Sequence, residues 1–234
     1  RGENLSARLL AEVENAALER GHFHLFLCTR PCNRERFARS GFWPIAQSGN
    51  NAVLMENTPQ GIERYCRSLR AKRKSGENIG AIVMNANPFT LGHQYLVETA
   101  AADCDVLHLF VVSEDASLVP FAVREQLVKE GTAHLNNVVY HRTESYMISN
   151  ATFPSYFLKD KDTVIRSHAV LDITIFEKIA KALGIRVRYV GEEPFSAVTG
   201  IYNQVMAGQL AAAGLTLTVI PRKESGGTAI SASK

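Results

Sequence analysis

The chain has 234 residues, of which 46% are hydrophobic and 21% charged, with a formal net charge of +3. That is an ordinary globular composition, long enough for one large domain or two small ones. The charge is too mild to argue for nucleic acid, and no apolar run approaches the roughly 18 residues of a membrane span.

Residues Arg1 to Glu19 are predicted to be a helix with Leu5, Leu9, Val13 and Ala16 or Ala17 on one face, closed by Gly21. His24 to Cys28 reads as a short strand and Arg30 to Arg39 as a polar helix. Ser40-Gly41-Phe42-Trp43 turns into a strand around Ala52 to Met55, giving the order helix, strand, helix, strand. Glu56 to Gly76 reads as a connector whose helix carries the apolar stripe Ile62, Tyr65, Cys66 and Leu69 and the basic end Arg70, Lys72, Arg73 and Lys74.

The apolar run Ala81-Ile82-Val83-Met84 is predicted to be a buried strand, ended at Asn87-Pro88 because proline cannot donate to a ladder. Gly92 allows backbone to come close to a ligand, and a helix opens at His93, where free N–H groups favour an anion. Strands follow at Val106 to Val112, Val138 to Tyr140, Arg186 to Val190 and Leu215 to Ile220. Helices intervene at Arg124 to Thr132 (closed by Gly131), Leu171 to Leu183 (capped by Gly184) and Tyr202 to Ala213, and Ser145 to Phe157 has no clear period. Alternation of this kind implies a parallel sheet covered on both faces, with a ligand beyond the strands' carboxyl ends at a switch point. Asn85 to His93, Ser113, Gly191 to Phe195 and Arg222-Lys223 should converge there. Cys28, Cys32, Cys66 and Cys104 lack the spacing of a structural metal site and read as free thiols of a cytoplasmic protein. The remaining histidines form no ligand set. A first residue of Arg1 is read as the interior of a longer polypeptide.

Thr90, Gly92 and His93 resemble the T/H-x-G-H signature of the nucleotidyltransferase superfamily, and Ile230-Ser231-Ala232-Ser233-Lys234 resembles its I-S-x-S phrase. The first part, from Arg1-Gly2-Glu3-Asn4-Leu5 through Ser40-Gly41-Phe42, resembles the second half of an N-acetyltransferase (GNAT-like) fold. Met84 to Thr90, Ala151 to Lys159, Gly191-Glu192-Glu193-Pro194-Phe195 and Tyr202-Asn203 together resemble the citrate lyase ligases over essentially the whole chain. Gly200, where a basic residue is expected, and the end at Lys234, where the family continues into a further helical region, depart from that pattern.

The resemblance implies an α/β chain: a partial GNAT-like region over 1–57, a helical linker over 58–77 and a Rossmann-like nucleotidyltransferase domain over 78–234. It implies attack of acetate on ATP to give acetyl-adenylate and pyrophosphate. The acetyl group then passes to the thiol of the phosphoribosyl-dephospho-CoA prosthetic group on the citrate lyase acyl carrier subunit. Mg2+ is expected to come with ATP. His93, Thr90 and Lys223 are the expected catalytic residues. Asn85, Ala86, Asn87, Gly92, His93, Arg124, Gly191, Glu193, Tyr202, Asn203, Arg222, Ile230, Ser231 and Ser233 are expected around the nucleotide, with no protein metal site. Two other readings stay open: adenylylation of a phosphorylated acceptor such as phosphopantetheine, and a non-catalytic module that binds CoA or a carrier.

Overall fold

A computed structural model describes residues 4–147, 153–193 and 196–222, with the backbone alone of 224–225 and 228–229. The chain begins with α1 (Leu5–Glu19), β1 (Phe26–Thr29), a 3-10 turn at Pro31–Asn33, α2 (Arg34–Arg39), β2 (Trp43–Ser48) and β3 (Ala52–Glu56). The three strands form an antiparallel sheet in the order β1-β3-β2. β2 is a strand that the sequence reading passed over. Pro44 lies in it, and the register slips between Pro44 and Ala46, which breaks the alternation that marks a strand; proline is tolerated there because β2 is an edge. The apolar face predicted for α1 is not its buried face: Leu5, Leu9 and Val13 are 65%, 66% and 55% exposed, and Leu10 is the residue that packs against Phe42, Val53 and Met55.

After α3 (Gly61–Arg70) come β4 (Ile79–Met84), α4 (Leu91–Asp103), β5 (Val106–Val111), α5 (Phe121–Thr132), β6 (Val138–Arg142), α6 (Lys161–Leu183), β7 (Val187–Gly191), α7 (Ala197–Ala212) and β8 (Thr216–Ile220). Two short antiparallel strands, β9 (Glu224–Ser225) and β10 (Thr228–Ala229), pair with each other. β4 to β8 form a five-stranded parallel sheet in the order β6-β5-β4-β7-β8. The chain leaves β4 in one direction and returns on its other side at β7, so the crevice between their carboxyl ends is the switch point.

Both faces of the sheet are covered. Ile82, Met84, Leu107 and Leu109 face α4 and α5. Ile79, Ala81 and Phe110 share the opposite core with α3, α6, α7 and residues of the antiparallel sheet such as Cys28, Ile45 and Leu54. That second core is continuous from one sheet to the other. α6 runs through it, starting where Asp160 accepts the Thr163 N–H at 2.8 Å and ending at Gly184, whose φ of 72° is left-handed. Each fully buried apolar side chain it supplies, such as Ile173, Phe176 and Ile179, contributes about 1.5–3 kcal/mol. Among the described residues no helix is long and apolar enough to cross a membrane.

Gly131 has another role than the one the sequence reading gave it. It lies inside α5, and a Cβ there would sit 2.4 Å from the Phe89 ring. It is small so that Phe89 can pack, and it does not cap the helix.

Candidate active site

Thr90 is the N-cap of α4, in extended backbone at φ −110° and ψ 171°. Its N–H donates to His93 Nδ1 at 3.1 Å, its Oγ1 lies 2.8 Å from the same nitrogen, and the His93 N–H approaches Thr90 Oγ1 at 3.4 Å. This is a reciprocal capping box in which histidine takes the place of the usual Glu or Gln. With Nδ1 accepting, the ring proton belongs on Nε2. Burial lowers the imidazole pKa from its ordinary 6.5, so at neutral pH His93 is an uncharged donor. Among the described residues Nε2 and the amides of Leu91 and Gly92 have no partner. A Cβ on Gly92 would meet only Thr90 Oγ1, at 3.6 Å. No packing inside the protein demands glycine there, and open space lies beside the helix start.

Between β4 and Thr90 the chain turns sharply. Ala86, buried, holds a left-handed φ of 51°. Asn85 Nδ2 donates to Ser117 Oγ at 3.2 Å, and Asn87 Oδ1 accepts the Val119 N–H at 2.9 Å. Both asparagines therefore hold the loop after β5. Ser117 and Val119 were not singled out from sequence; the Ser113-Glu114-Asp115 turn before Pro120 was the available signal.

Arg124 is a correction. It is 0% exposed, and its guanidinium donates to the carbonyls of Val119, Asn85, Val112 and Glu114 at 2.7–2.9 Å and to Asn85 Oδ1 at 3.1 Å. It clamps the loops leaving β4 and β5 and offers no face to a phosphate. Tyr202 is a second correction. Its hydroxyl donates to Asp172 in the interface of α6 and α7, where burial and Asp172 hold the phenol well above its usual pKa. Its hydroxyl is thus taken up inside the protein, and its ring packs against the core shared with α6.

At the end of β7, Gly191 is exposed, and a Cβ there would meet only Leu96 Cδ2, at 4.0 Å. The Glu192 N–H donates to the Ile220 carbonyl at 2.9 Å, while Arg222 donates through Nε to the Glu192 carbonyl at 3.0 Å and pairs with Glu193. Arg222 thus bridges the ends of β7 and β8, its charge partly offset by Glu193. Asn203 is half-buried on α7. Lys223, Ile230, Ser231 and Ser233 lie outside the described residues, as do Pro194 and Phe195. Among the described residues no group of three or more His, Cys, Asp or Glu side chains is placed to hold a metal.

Residues 79–234 match the family model described as the citrate lyase ligase C-terminal domain. The [citrate [pro-3S]-lyase] ligase of Klebsiella pneumoniae is 48% identical, covering 100% of this chain and 70% of that protein. The ligase of the same name from Escherichia coli is 45% identical over 88% of this chain and 59% of its own length. That of Haemophilus influenzae is 39% identical over 100% and 71%. Among solved structures, pantothenate synthetase from Thermus thermophilus is 16% identical with a TM-score of 0.47, covering 71% of this chain and 63% of that one. The extent and identity of the sequence matches establish that the chain belongs to the citrate lyase ligase family of enzymes.

Proposed function

We propose that this chain carries out the ATP-dependent activation of acetate for acetylation of the citrate lyase acyl carrier. The observation that carries the reading is the Thr90–His93 capping box. It sits at a helix N-terminus just beyond the switch-point strand, with unpartnered amides, a neutral Nε2–H donor and open space at Gly92. Helix N-termini of this kind favour phosphate.

In the first step an acetate oxygen attacks the α-phosphorus of ATP. The bond from that phosphorus to the bridging oxygen breaks, and pyrophosphate leaves with the added charge. His93 would donate a hydrogen bond to the departing phosphates and Leu91 and Gly92 their amides; catalysis is by position and charge stabilisation, with no enzyme nucleophile. In the second step the carrier thiol attacks the acetyl carbon, the carbon–oxygen bond to AMP breaks, and the thiol proton passes to solvent. Mg2+ would be carried on the phosphates of ATP. Lys223, Ser231 and Ser233 are proposed for the same phosphates from their place in the family phrases, and Arg222 for the rim.

On this reading the chain divides into a GNAT-like piece over 1–57, a helical connector over 58–77 and an ATP-binding unit over 78–234. The family match beginning at residue 79 supports the last boundary. The free thiols Cys28, Cys32, Cys66 and Cys104 suit a reducing, cytoplasmic setting. The test is exchange of labelled pyrophosphate into ATP by the intact enzyme. Exchange that requires acetate supports the reading; exchange driven only by a phosphorylated acceptor such as phosphopantetheine overturns it.

A further inference from the structure

Charge is unevenly spread along this chain. Residues 58–77 hold six cations, Arg64, Arg67, Arg70, Lys72, Arg73 and Lys74, against Glu63 and Glu77, so this stretch carries +4 while the rest of the chain together carries −1. α3 sorts its residues by face. Gly61, Ile62, Tyr65, Cys66 and Leu69 are buried, while Arg64, Arg67 and Arg70 follow one another at helical spacing on the exposed side, with Lys72, Arg73 and Lys74 exposed just beyond.

Local structure engages three of the six. Arg64 donates to the Gln60 carbonyl at 3.3 Å and to Thr58 Oγ1 at 2.6 Å, Lys72 donates to the Tyr140 carbonyl at 3.2 Å, and a Cβ on Gly184 would sit 2.9 Å from Arg73 Nη2. Among the described residues none of the six pairs with a carboxylate, and Arg67, Arg70 and Lys74 have no hydrogen bond. By contrast, Lys129 and Arg142 share Glu125, Arg166 has Asp162 and Arg222 has Glu193. One or two cations would complement the carboxyl end of α3; a longer row without counter-charge repels itself.

The row is also well placed. α3 lies along β6, because Tyr65 Oη donates to the Arg142 carbonyl at 2.7 Å and Lys72 reaches Tyr140. Its first turn is therefore beside the carboxyl edge of the parallel sheet, the edge that carries Thr90 and His93. With Tyr65, the only aromatic residue of α3, turned inward, the exposed side is no stacking platform for single-stranded nucleic acid. Charge of one sign suits a protein partner that must arrive, receive one group and leave, since complementary charge speeds encounter without demanding a tight complex. We propose that the basic face of α3 docks an acidic surface of the carrier subunit, holding it beside that edge while its prosthetic arm extends to the acyl-adenylate. The assignment rests on the ligase reading above.

The test uses the intact enzyme. Acetate-dependent pyrophosphate exchange reports activation, and acetyl transfer is measured to the carrier bearing its prosthetic group and, separately, to pantetheine, which offers a thiol without the protein. Absence of exchange in the wild type would remove the ligase reading, and the docking with it. With exchange present, the triple variant Arg67→Glu, Arg70→Glu, Lys74→Glu is expected to keep exchange and transfer to pantetheine, while kcat/KM for the carrier falls roughly tenfold or more through a raised KM. Unchanged transfer to the carrier, or an equal loss with pantetheine, overturns the docking alone. Unchanged transfer together with lost binding of an RNA oligonucleotide would assign the face to nucleic acid instead. If the triple variant fails to fold, ionic strength decides on the unsubstituted protein: added salt is expected to lower kcat/KM for the carrier severalfold and to leave that for pantetheine level. A carrier rate that does not respond to salt overturns the proposal.

Discussion

With Nδ1 taken up by Thr90, the His93 imidazole has a single proton to offer, on Nε2. Removing it in His93→Ala is expected to lower acetate-dependent exchange by roughly two to four orders of magnitude, as loss of a charge-stabilising donor does. Fold stability should fall only by about 1 kcal/mol, the usual worth of a cap interaction. Because burial lowers the His93 pKa, the neutral donor persists through neutral pH, and protonation belongs to the acid side of 6.5. A pH profile of exchange is therefore expected to be level with respect to this group above 6.5, with its acid limb below. A limb at or above 6.5 that vanishes in His93→Gln would contradict the assigned state. Arg124 illustrates what residue type cannot reveal. An arginine on a helix near a phosphate motif reads as an anion ligand, yet its side chain turns inward to carbonyls that only the fold assembles. Arg124→Ala should cost about 3 kcal/mol in urea unfolding, since removing the guanidinium leaves several buried carbonyl acceptors without their donor. Arg124→Lys should recover only part of that, having no planar fork to span the loops.

At the scale of elements, periodicity served well where one face of a helix or both faces of a strand are buried. β4 and β5 were legible as continuous apolar runs because both faces of the parallel sheet are covered, and the α3 stripe Ile62, Tyr65, Cys66 and Leu69 is buried as read. The start of α6 was not legible: in its first turns, from Lys161 to Arg166, only Val164 and Ile165 are apolar and no residue is fully buried, so the regular apolar spacing begins further inside the helix. Gly131 was misread because a glycine near a helix end has two common explanations, a left-handed cap or a close neighbour, and sequence does not supply the neighbour. That neighbour yields a prediction. Gly131→Ala must displace the Phe89 ring, at a cost of about 1–3 kcal/mol by thermal unfolding. Phe89 stacks on His93 with ring centroids 5.9 Å apart, so exchange should fall as well; full stability with full exchange would contradict the packing account.

For the whole molecule, the two sheets are held by more than the shared apolar core. Glu56, 2% exposed at the end of β3, accepts from the Ile62 N–H at the start of α3 at 2.9 Å and from Tyr146 Oη at 2.8 Å; His24 Nε2 lies 2.8 Å away. Lys178 of α6 donates to the Ile45 carbonyl of β2 at 2.8 Å. Wild-type protein is expected to unfold in one calorimetric transition. Glu56→Ala, which orphans an amide and a buried hydroxyl, should lower stability by about 3 kcal/mol and separate the antiparallel sheet's melting from that of the parallel sheet. A single unshifted transition would show that the junction contributes nothing. The polar contacts of this junction were not readable in the sequence, where residues 58–77 read as a helical linker with an apolar stripe and a basic end.

The strand order has a consequence for how the crevice comes into being. β4 pairs with β5 almost at once along the chain, but its other neighbour, β7, pairs through Gly80 with Val187 and Ala81 with Arg188, more distant in sequence. During synthesis the half built from β4, β5 and β6 can assemble while the far wall of the crevice does not yet exist. Until α6 and β7 emerge from the ribosome, one edge of β4 stands open, with its ladder groups unpaired and its apolar face uncovered. Such long-range parallel pairing is slow to close, so this enzyme should depend most on chaperones in the interval between completing β6 and completing β7.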